Sequence, residues 1–179
     1  ERQHLYDLLK DAQSLAKIGS WEYDIVEDKL SCSDEVFQIY GFSNFNMKLD
    51  KKTFINRQYP DDMQKAEEVF QNSLHSQEMT IAHNRIIRYD NQEVRYVEHR
   101  WTTQYDDSKK AIKTIGTTQD ITEQKAIEQA LEESNRQLNS LMNSLPGMAY
   151  RCNNDEQWTM KFLSDGCEQL TGYKSADIL

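Results

Sequence analysis

The chain has 179 residues, of which 37% are hydrophobic and 28% are charged, a length that permits one full domain and part of another. Its net charge of −9 argues against a DNA- or RNA-binding protein, because contacts to phosphate need clustered Lys and Arg. No apolar stretch approaches the length of a membrane span and no signal peptide opens the chain, so we expect no membrane contact by this fragment.

The three cysteines, Cys32, Cys152 and Cys167, are an odd number, lie far apart and form no Cys-x-x-Cys pattern. This arrangement argues against a disulfide framework and against a zinc site. It fits a reducing compartment, so we expect a cytoplasmic protein.

An N-terminal helix is predicted over residues 4–17, because apolar side chains recur there at heptad spacing. The apolar positions are Leu5, Leu8, Ala12 and Leu15. A helix this short is marginal on its own, so we expect it to pack against another element.

A β-hairpin and a short helix are predicted next. Residues 18–26 alternate apolar and polar side chains, which is the period of a strand, and a turn leads to a second strand over residues 29–32. Ser33 then suits the N-cap of a short helix that stops at Gly41.

Two further helices are expected before the remaining strands. Residues 49–57 form a short one, and Tyr-Pro-Asp-Asp at residues 59–62 opens a longer one. Pro60 suits a first turn, and Asp61 and Asp62 suit the positive end of the helix dipole. The buried stripe of the longer helix is formed by Met63, Ala66, Phe70 and Leu74.

Three strands complete the domain, over residues 80–89, 94–105 and 111–119. A turn centred on Asn91-Gln92 joins the first two and would place His83 opposite Arg100 and His99 opposite Asn84. Segregated helices and antiparallel hairpins indicate an α+β fold, with a five-stranded antiparallel sheet that carries helices on one face.

The last strand runs without a loop into a long helix. Asp120 suits the cap of this helix, and Glu123 lies at the spacing of a capping box. No Gly or Pro interrupts the chain before Pro146, so we expect a helix over residues 122–145, which is about 25 residues or roughly 37 Å long.

This helix carries a heptad stripe. Its positions are Ile127, Leu131, Ser134, Leu138, Leu141 and Leu145. The stripe suits a parallel coiled coil between two chains, or it packs on its own domain. We favour pairing, because polar positions are numerous and the helix extends well beyond one small sheet.

Residues 33–42 recur as residues 164–173, with Ser, Asp, Gln and Gly identical at matching places. Strand-like segments precede both copies. The repeat indicates that residues 146–179 begin a second copy of the domain and stop before its last three strands.

Together these features resemble the PAS domain family, in the subgroup with a PAC-type C-terminal half. Asp120, Ile121 and Thr122, followed by Glu-Gln-Lys, resemble the terminal signature of that half. Residues 59–62 resemble the family's His-Pro-Asp-Asp segment, with Tyr in place of His. Residues 85–97 resemble the central hairpin, although this chain has Asn91 where the family usually has Gly.

The resemblance implies four parts. Residues 1–17 are a flanking helix, residues 18–121 a PAS sensor domain, residues 122–145 a coiled-coil signalling helix, and residues 146–179 the N-terminal part of a second, truncated PAS domain.

The resemblance also implies a sensory region of a multidomain bacterial signalling protein, upstream of a histidine kinase or a cyclic-di-GMP enzyme in the same chain. Homodimers would form through the flanking helices, with Asp120, Ile121 and Thr122 as the signal-relay motif. The alternative is a passive dimerisation or protein-interaction module without a ligand. An enzymatic role for this fragment has little support, because no nucleophile elbow, phosphate loop or metal-ligand cluster is evident.

No cofactor is assigned. The flavin-photosensor branch of the family uses a reactive Cys within Asn-Cys-Arg-Phe-Leu-Gln, and that segment is absent. Haem is not expected, because His75 lies among polar neighbours at a helix end. His83 and His99 are diagonal neighbours at best, and no third ligand is evident, so we expect no metal site.

A small-molecule pocket between helices and sheet is a further hypothesis. Its walls would be Phe37, Tyr40, Phe54, Ile55, Phe70, Ile87 and Trp101. The alternative is that these side chains fill an ordinary core, and we favour it because a domain of ~110 residues needs such residues merely to be stable.

Overall fold

A computed structural model of the chain describes residues 8, 11–43, 50–144 and 147–178. The chain divides into two compact units, Glu1–Lys125 and Ala126–Leu179. Residues 11–15 are helical, and most of the rest of the predicted N-terminal helix lies outside the described residues. No helix of the described residues is long and apolar enough to cross a membrane.

After the helical residues 11–15, the described part of the first unit has five strands and three helices, and a further helix of 23 residues begins at its C-terminal end. The elements in chain order are β1 (Ile18–Asp24), β2 (Lys29–Cys32), α1 (Asp34–Tyr40), α2 (Lys51–Ile55), a 3-10 turn (Pro60–Asp62), α3 (Met63–Ser73), β3 (Thr80–Ile87), β4 (Val94–Tyr105), β5 (Ala111–Asp120) and α4 (Thr122–Ser144).

The strands form one antiparallel sheet in the order β2-β1-β5-β4-β3. The predicted α+β fold with a five-stranded antiparallel sheet is therefore confirmed. β1 and β3 each end two residues earlier than predicted. β1 ends at Asp24 because its carboxylate accepts hydrogen bonds from the backbone N–H groups of Val26 and Glu27, which close the turn.

The centre of the sheet is shaped by one glycine. Gly116 of β5 pairs with Trp21 of β1 and with Trp101 of β4. The two indole rings lie 6.2 Å apart, and a Cβ on Gly116 would stand 2.7 Å from the Trp21 ring and 2.5 Å from the carbonyl oxygen of Arg100. Only glycine leaves room for both tryptophans to cover the middle of the sheet.

The predicted register of the β3–β4 hairpin is wrong by two residues. His83 faces Glu98, and His99 faces Ala82. The turn is centred nearer to Asp90 than expected, because the Asp90 carboxylate accepts from the backbone of Asn91 and from the Arg88 guanidinium.

Asp61 and Asp62 lie in the first turn at the start of the helix, as predicted, and Asp62 also binds a residue far along the chain. A 3-10 turn precedes α3, and the Asp62 carboxylate accepts three hydrogen bonds from Arg85 of β3, at 2.8 Å from its backbone N and at 3.0 and 2.6 Å from its guanidinium. Residues 57–59 run beside β3, with Tyr59 N–H donating to Arg85 and Ile87 N–H donating to Arg57. Part of the sheet edge is covered in this way.

The core of the unit lies between α1 and the sheet. Its buried side chains are Val36, Phe37, Ile39, Tyr40, Phe42, Ile86 and Val97. Arg88 ties the β3–β4 hairpin to this helix, because its Nη1 donates to the carbonyl of Gln38 at the helix C-terminus.

The second unit contains a two-stranded antiparallel sheet and two short helices, besides most of α4. Its elements are β6 (Tyr150–Cys152), β7 (Met160–Leu163), α5 (Gly166–Thr171) and α6 (Ser175–Ile178). The strand-like segments before the second repeat copy therefore do pair as a hairpin.

Candidate ligand cavity and helix junction

A cavity of about 150 Å³ lies between the inner face of the sheet and the helices of the first unit. All five strands of the sheet and the helices α1 to α3 contribute residues to its lining. The lining includes Trp21, Tyr23, Leu30, Val36, Tyr40, Lys51, Phe54, Ile55, Gln58, Ala66, Glu67, Phe70, Ala82, Asn84, His99, Trp101 and Thr118.

Aromatic rings form much of the wall. Phe70 of α3 lies 6.5 Å from the Trp101 ring and 6.2 Å from the Tyr23 ring, measured between centroids. Tyr40 and Phe54 meet edge to face at 4.7 Å. These separations are typical of paired aromatic side chains, so the rings support one another around the opening.

Five of the seven side chains predicted as pocket walls line this cavity: Tyr40, Phe54, Ile55, Phe70 and Trp101. The other two do not. Phe37 lies in the core cluster of α1, and Ile87 neighbours the fully buried Ile86 on a strand whose side chains alternate between faces.

The predicted pocket wall did not include the polar residues Asn84 and His99, which do line the cavity. Asn84 and Ala82 of β3 share the inner face of the sheet with His99 and Trp101 of β4. The alternation of side chains along each strand could have identified these residues, since every second residue points to the same face of the sheet. A register that was wrong by two residues obscured which of them stand side by side.

Asn84 is the least satisfied of these polar groups. Its side chain is 8% exposed, and its Nδ2 has no hydrogen-bond partner in the described part of the chain. The neighbouring Trp101 differs, because its Nε1 donates to Ser73 Oγ at 2.9 Å. A buried amide without a partner costs about 1–3 kcal/mol, so Asn84 is poised to donate to a group inside the cavity.

His99 is uncharged at neutral pH. Its pKa is lowered to about 4, mainly by desolvation and also by the nearby His83, while Glu98 acts in the opposite direction. Its Nδ1 lies 2.8 Å from Thr118 Oγ1, which fixes the ring against the sheet. A neutral imidazole has one N–H donor and one acceptor, so it adds hydrogen-bonding capacity to the wall without adding charge.

Lys51 lies above the rim of the cavity. Its Nζ stands 4.3 Å from the centre of the Phe70 ring and 5.6 Å from that of Tyr23, a cation–π arrangement. Glu67 also lines the opening. The two charges are opposite in sign, so the rim favours neither anions nor cations strongly.

The remaining cofactor candidates contribute little. Burial raises the pKa of the Cys32 thiol to about 12, so this cysteine stays protonated and packs against the core. His75 is exposed. Among the residues that the structure describes, no three His, Cys, Asp or Glu side chains are grouped to hold a metal ion.

The strand-to-helix junction is clamped to β4. Tyr96 of β4 donates its backbone N–H to Thr122 Oγ1 at 2.9 Å, and its carbonyl accepts from the N–H of Ile121 at 2.9 Å. The Ile121 side chain is buried. Both bonds tie the residues that open α4 to the middle of the sheet.

Asp120 caps the helix, but the capping box is not formed. Asp120 Oδ1 accepts from the N–H of Thr122 at 2.9 Å, and Arg95 lies 3.7 Å from its other oxygen. Glu123 points away from this cap and pairs with Lys17 at 3.3 Å. The prediction of a reciprocal box is wrong, because an exposed lysine of the preceding segment offers Glu123 a charged partner.

The apolar stripe of α4 is open to solvent over its described length. Ile127, Leu131, Leu138 and Leu141 are all more than half exposed, and Ser134 is exposed as well. Leu145 lies outside the described residues. Four large apolar side chains on one helix face form a patch of the kind that mediates association.

The two repeat copies share a hydrogen-bonded clamp. Ser33 donates its N–H to the Ser20 carbonyl at 2.8 Å, and its hydroxyl accepts from Ser20 N–H at 3.0 Å. Ser164 makes the same pair of bonds to Ala149, both at 2.9 Å. The Ser33 hydroxyl therefore binds the preceding strand and does not cap α1 as predicted.

Comparison with protein families gives one match. The family model described as the PAS fold matches residues 29–118. That range runs from β2 to β5 and includes most of the cavity wall.

Individual proteins similar to the chain include signalling proteins of three organisms. Hybrid signal transduction histidine kinase I of Dictyostelium discoideum is 27% identical over 146 residues, which are 80% of this chain and 8% of that protein. A sensory box histidine kinase/response regulator from Burkholderia thailandensis superposes with a TM-score of 0.61 at 20% identity, over 74% of this chain and 98% of the other. The N-terminal domain of a diguanylate cyclase with a PAS/PAC sensor from Marinobacter aquaeolei has a TM-score of 0.54 at 13% identity, over 60% and 97%.

Proposed function

Because the chain belongs to the PAS fold family, we propose that it is the sensory, signal-transducing region of a multidomain signalling protein. It relays the state of a ligand or partner through a dimeric helix to a histidine kinase or cyclic-di-GMP enzyme. Support comes from the relatives, two of which are named as histidine kinases and one as a diguanylate cyclase. The chain spans only 8% of the length of the curated relative, so the output activity is part of the proposal.

The observation that carries the proposal is the clamp between β4 and the first turn of α4. Val97 of β4 pairs with Asn84 at the cavity. The adjacent Tyr96 holds Ile121 and Thr122 through its backbone. A ligand or partner that shifts β4 would therefore shift the start of α4, and this gives Asp120, Ile121 and Thr122 the role of a relay.

Dimerisation is the second part of the proposal. The exposed stripe on α4 has the heptad spacing of a parallel coiled coil, so a second copy of the chain is its natural partner. In such a pair, a small change in the first turn alters the register or stability of the whole seam.

The proposed organisation has four parts. They are a flanking helix (1–17), a PAS sensor domain (18–121), a signalling helix (122–145) and the beginning of a second PAS domain (146–179). The Ser33 and Ser164 clamps support the last part, because the same backbone bonds recur at the same place in the repeat.

The test is the substitution Asp120→Ala in the full-length protein. It removes the cap on Thr122 and the ion pair with Arg95, so we expect the output to lose its response to the stimulus while the sheet stays folded. The matched control is Glu123→Ala, which removes only an exposed ion pair in the same turn. An unchanged response in Asp120→Ala would reduce the triplet to a structural cap.

The alternative function is a passive dimerisation module without a ligand. The exposed α4 stripe is compatible with it, since pairing needs no occupied cavity. Native mass spectrometry separates the two functions, because a co-purified small molecule is expected only for the sensor. Sedimentation that finds a strict monomer at high concentration would contradict both.

A further inference from the structure

We propose that the cavity of the first unit binds a small, uncharged, single-ring aromatic compound that carries a hydrogen-bond acceptor, held by the side-chain amide of Asn84. This inference rests on the proposed sensory function and names the ligand class of that function. Four features of the cavity support it. They are its volume, its aromatic wall, the Asn84 Nδ2 donor that has no partner in the described residues, and the opposite charges of Lys51 and Glu67 in its lining.

The volume selects a single ring. A cavity of about 150 Å³ is the size that accommodates one benzene molecule in a protein interior. Drug-sized and tricyclic ligands occupy pockets of roughly 300–1,000 Å³.

The wall selects an aromatic compound. Trp21, Tyr23, Phe70 and Trp101 form a connected series of rings with centroids 6.2–6.5 Å apart. A planar ligand would pair with these rings in the tilted and edge-to-face geometries that aromatic groups favour. An aliphatic ligand of the same volume would bury similar area without those contacts.

Asn84 selects an acceptor. Its Nδ2 is buried and has no partner within the described residues, and Asn84 is one of the residues that line the cavity. The only other such buried side-chain atom among the described residues is Thr114 Oγ1, and Thr114 does not line the cavity. A carbonyl oxygen in the cavity would satisfy the Asn84 amide, with His99 as a diagonal neighbour on the same face of the sheet.

The charges select a neutral ligand. The imidazole of His99 is uncharged at neutral pH because it is buried. Lys51 is engaged with aromatic faces at the rim, and Glu67 lines the same opening with the opposite charge. A carboxylate inside the cavity would be desolvated, and it would have to draw Lys51 away from the aromatic rings to gain a cationic partner.

The experiment compares two probes of equal size on the 179-residue chain. Acetophenone has a carbonyl where ethylbenzene has a CH2 group, and their affinities are measured by NMR titration. In Asn84→Leu, which keeps the branching and the number of heavy atoms of the side chain, we expect the ratio of acetophenone to ethylbenzene affinity to fall about threefold to tenfold, the worth of one neutral hydrogen bond. The matched control is Thr114→Val, which removes the other unpartnered buried group and should leave the ratio unchanged.

A second measurement needs no variant. Acetophenone, but not ethylbenzene, should shift the side-chain NH2 signals of Asn84 in the wild-type chain. Benzoate, which has the same ring and a negative charge, should bind more weakly than acetophenone. The inference is overturned by an unchanged affinity ratio in Asn84→Leu, by tighter binding of benzoate, or by an Asn84 amide that stays bonded to water while both probes bind equally.

Failure of this inference differs from failure of the proposed function. If acetophenone binds through Asn84 without any change in chain association or output, the ligand class stands and the relay is wrong. If neither probe binds but Asp120→Ala still abolishes the output response, the relay stands and the ligand class is wrong.

Discussion

The two units build the same local motif and give it different surroundings. In both, a hairpin strand is clamped by a serine and followed by a short helix that ends at a left-handed glycine. Ile39 and Phe42 of the first unit are 4% and 5% exposed, whereas their counterparts Leu170 and Tyr173 are 62% and 65% exposed. Local sequence forms the motif in both units, and these two positions are buried only in the unit that has further strands and helices.

One position behaves alike in both units. Val36 and its counterpart Cys167 are almost completely buried. Val36 packs against Gly19 of its own hairpin, and Cys167 is buried in a unit whose described residues form only one hairpin. The position of Val36 and Cys167 is therefore buried in both units, whereas the positions of Ile39 and Phe42 are buried only in the first.

The largest expected difference concerns the counterparts Ile39 and Leu170. Ile39→Ala should destabilise the first unit by about 2–5 kcal/mol, because it leaves a cavity in the core. Leu170→Ala should change stability by no more than about 0.5 kcal/mol, since its side chain is largely exposed. Denaturant unfolding of both variants measures the difference, and equal losses would break the comparison.

A pH titration should distinguish the units next. The pKa of His99 is lowered by burial to about 4, while an unfolded histidine titrates near 6.5. The unfolded state therefore binds the proton first as the pH falls, so the stability of the first unit is complete above about pH 6.5 and declines towards pH 4. The second unit contains no histidine and lacks this contribution.

The measurement is the hydrogen exchange of sheet amides in each unit between pH 7 and pH 4, corrected for intrinsic rates. In His99→Gln, the stability of the first unit should fall less between pH 7 and pH 4 than in the wild-type chain. The control is His75→Gln, which removes an exposed histidine and should lose as much stability over this range as the wild-type chain. A first unit whose stability is constant over this range would contradict the assignment of a neutral, buried His99.

The smallest expected effect is one that the units share. Ser33→Ala and Ser164→Ala each remove the hydroxyl that accepts from a strand N–H. Each should cost about 1 kcal/mol, the net worth of one such hydrogen bond. Exchange of the Ser20 and Ala149 amides reports the two losses separately. A loss confined to one unit would show that the repeated clamp is not energetically equivalent.

Several features were predictable from local patterns. Alternating side chains located β1, β2, β4 and β5 within two residues, and the unbroken polar and apolar periodicity located α4 within one. Gly41 and Gly172 adopt φ values of 75° and 78°, as glycines at helix ends do. These patterns depend on neighbours in sequence, so they survive any tertiary arrangement.

Other features depended on partners far along the chain. Asp62 binds Arg85 and Glu123 pairs with Lys17, and both partners are far away in the sequence. The β3–β4 register depends instead on a contact within the turn, the pair of Asp90 and Arg88. Local rules place these carboxylates at helix starts and turns but do not say which cation each of them binds.

The sequence by itself determined the family, the antiparallel α+β sheet and the continuous strand-to-helix junction, because periodicity and short motifs encode them locally. Only the tertiary structure decided that Asn84 lines an aromatic cavity with its Nδ2 unpartnered among the described residues, that Tyr96 binds the start of α4, and that Ile39 is buried while Leu170 is not. Those outcomes depend on which strands lie side by side, and long-range pairing is information that no short segment contains.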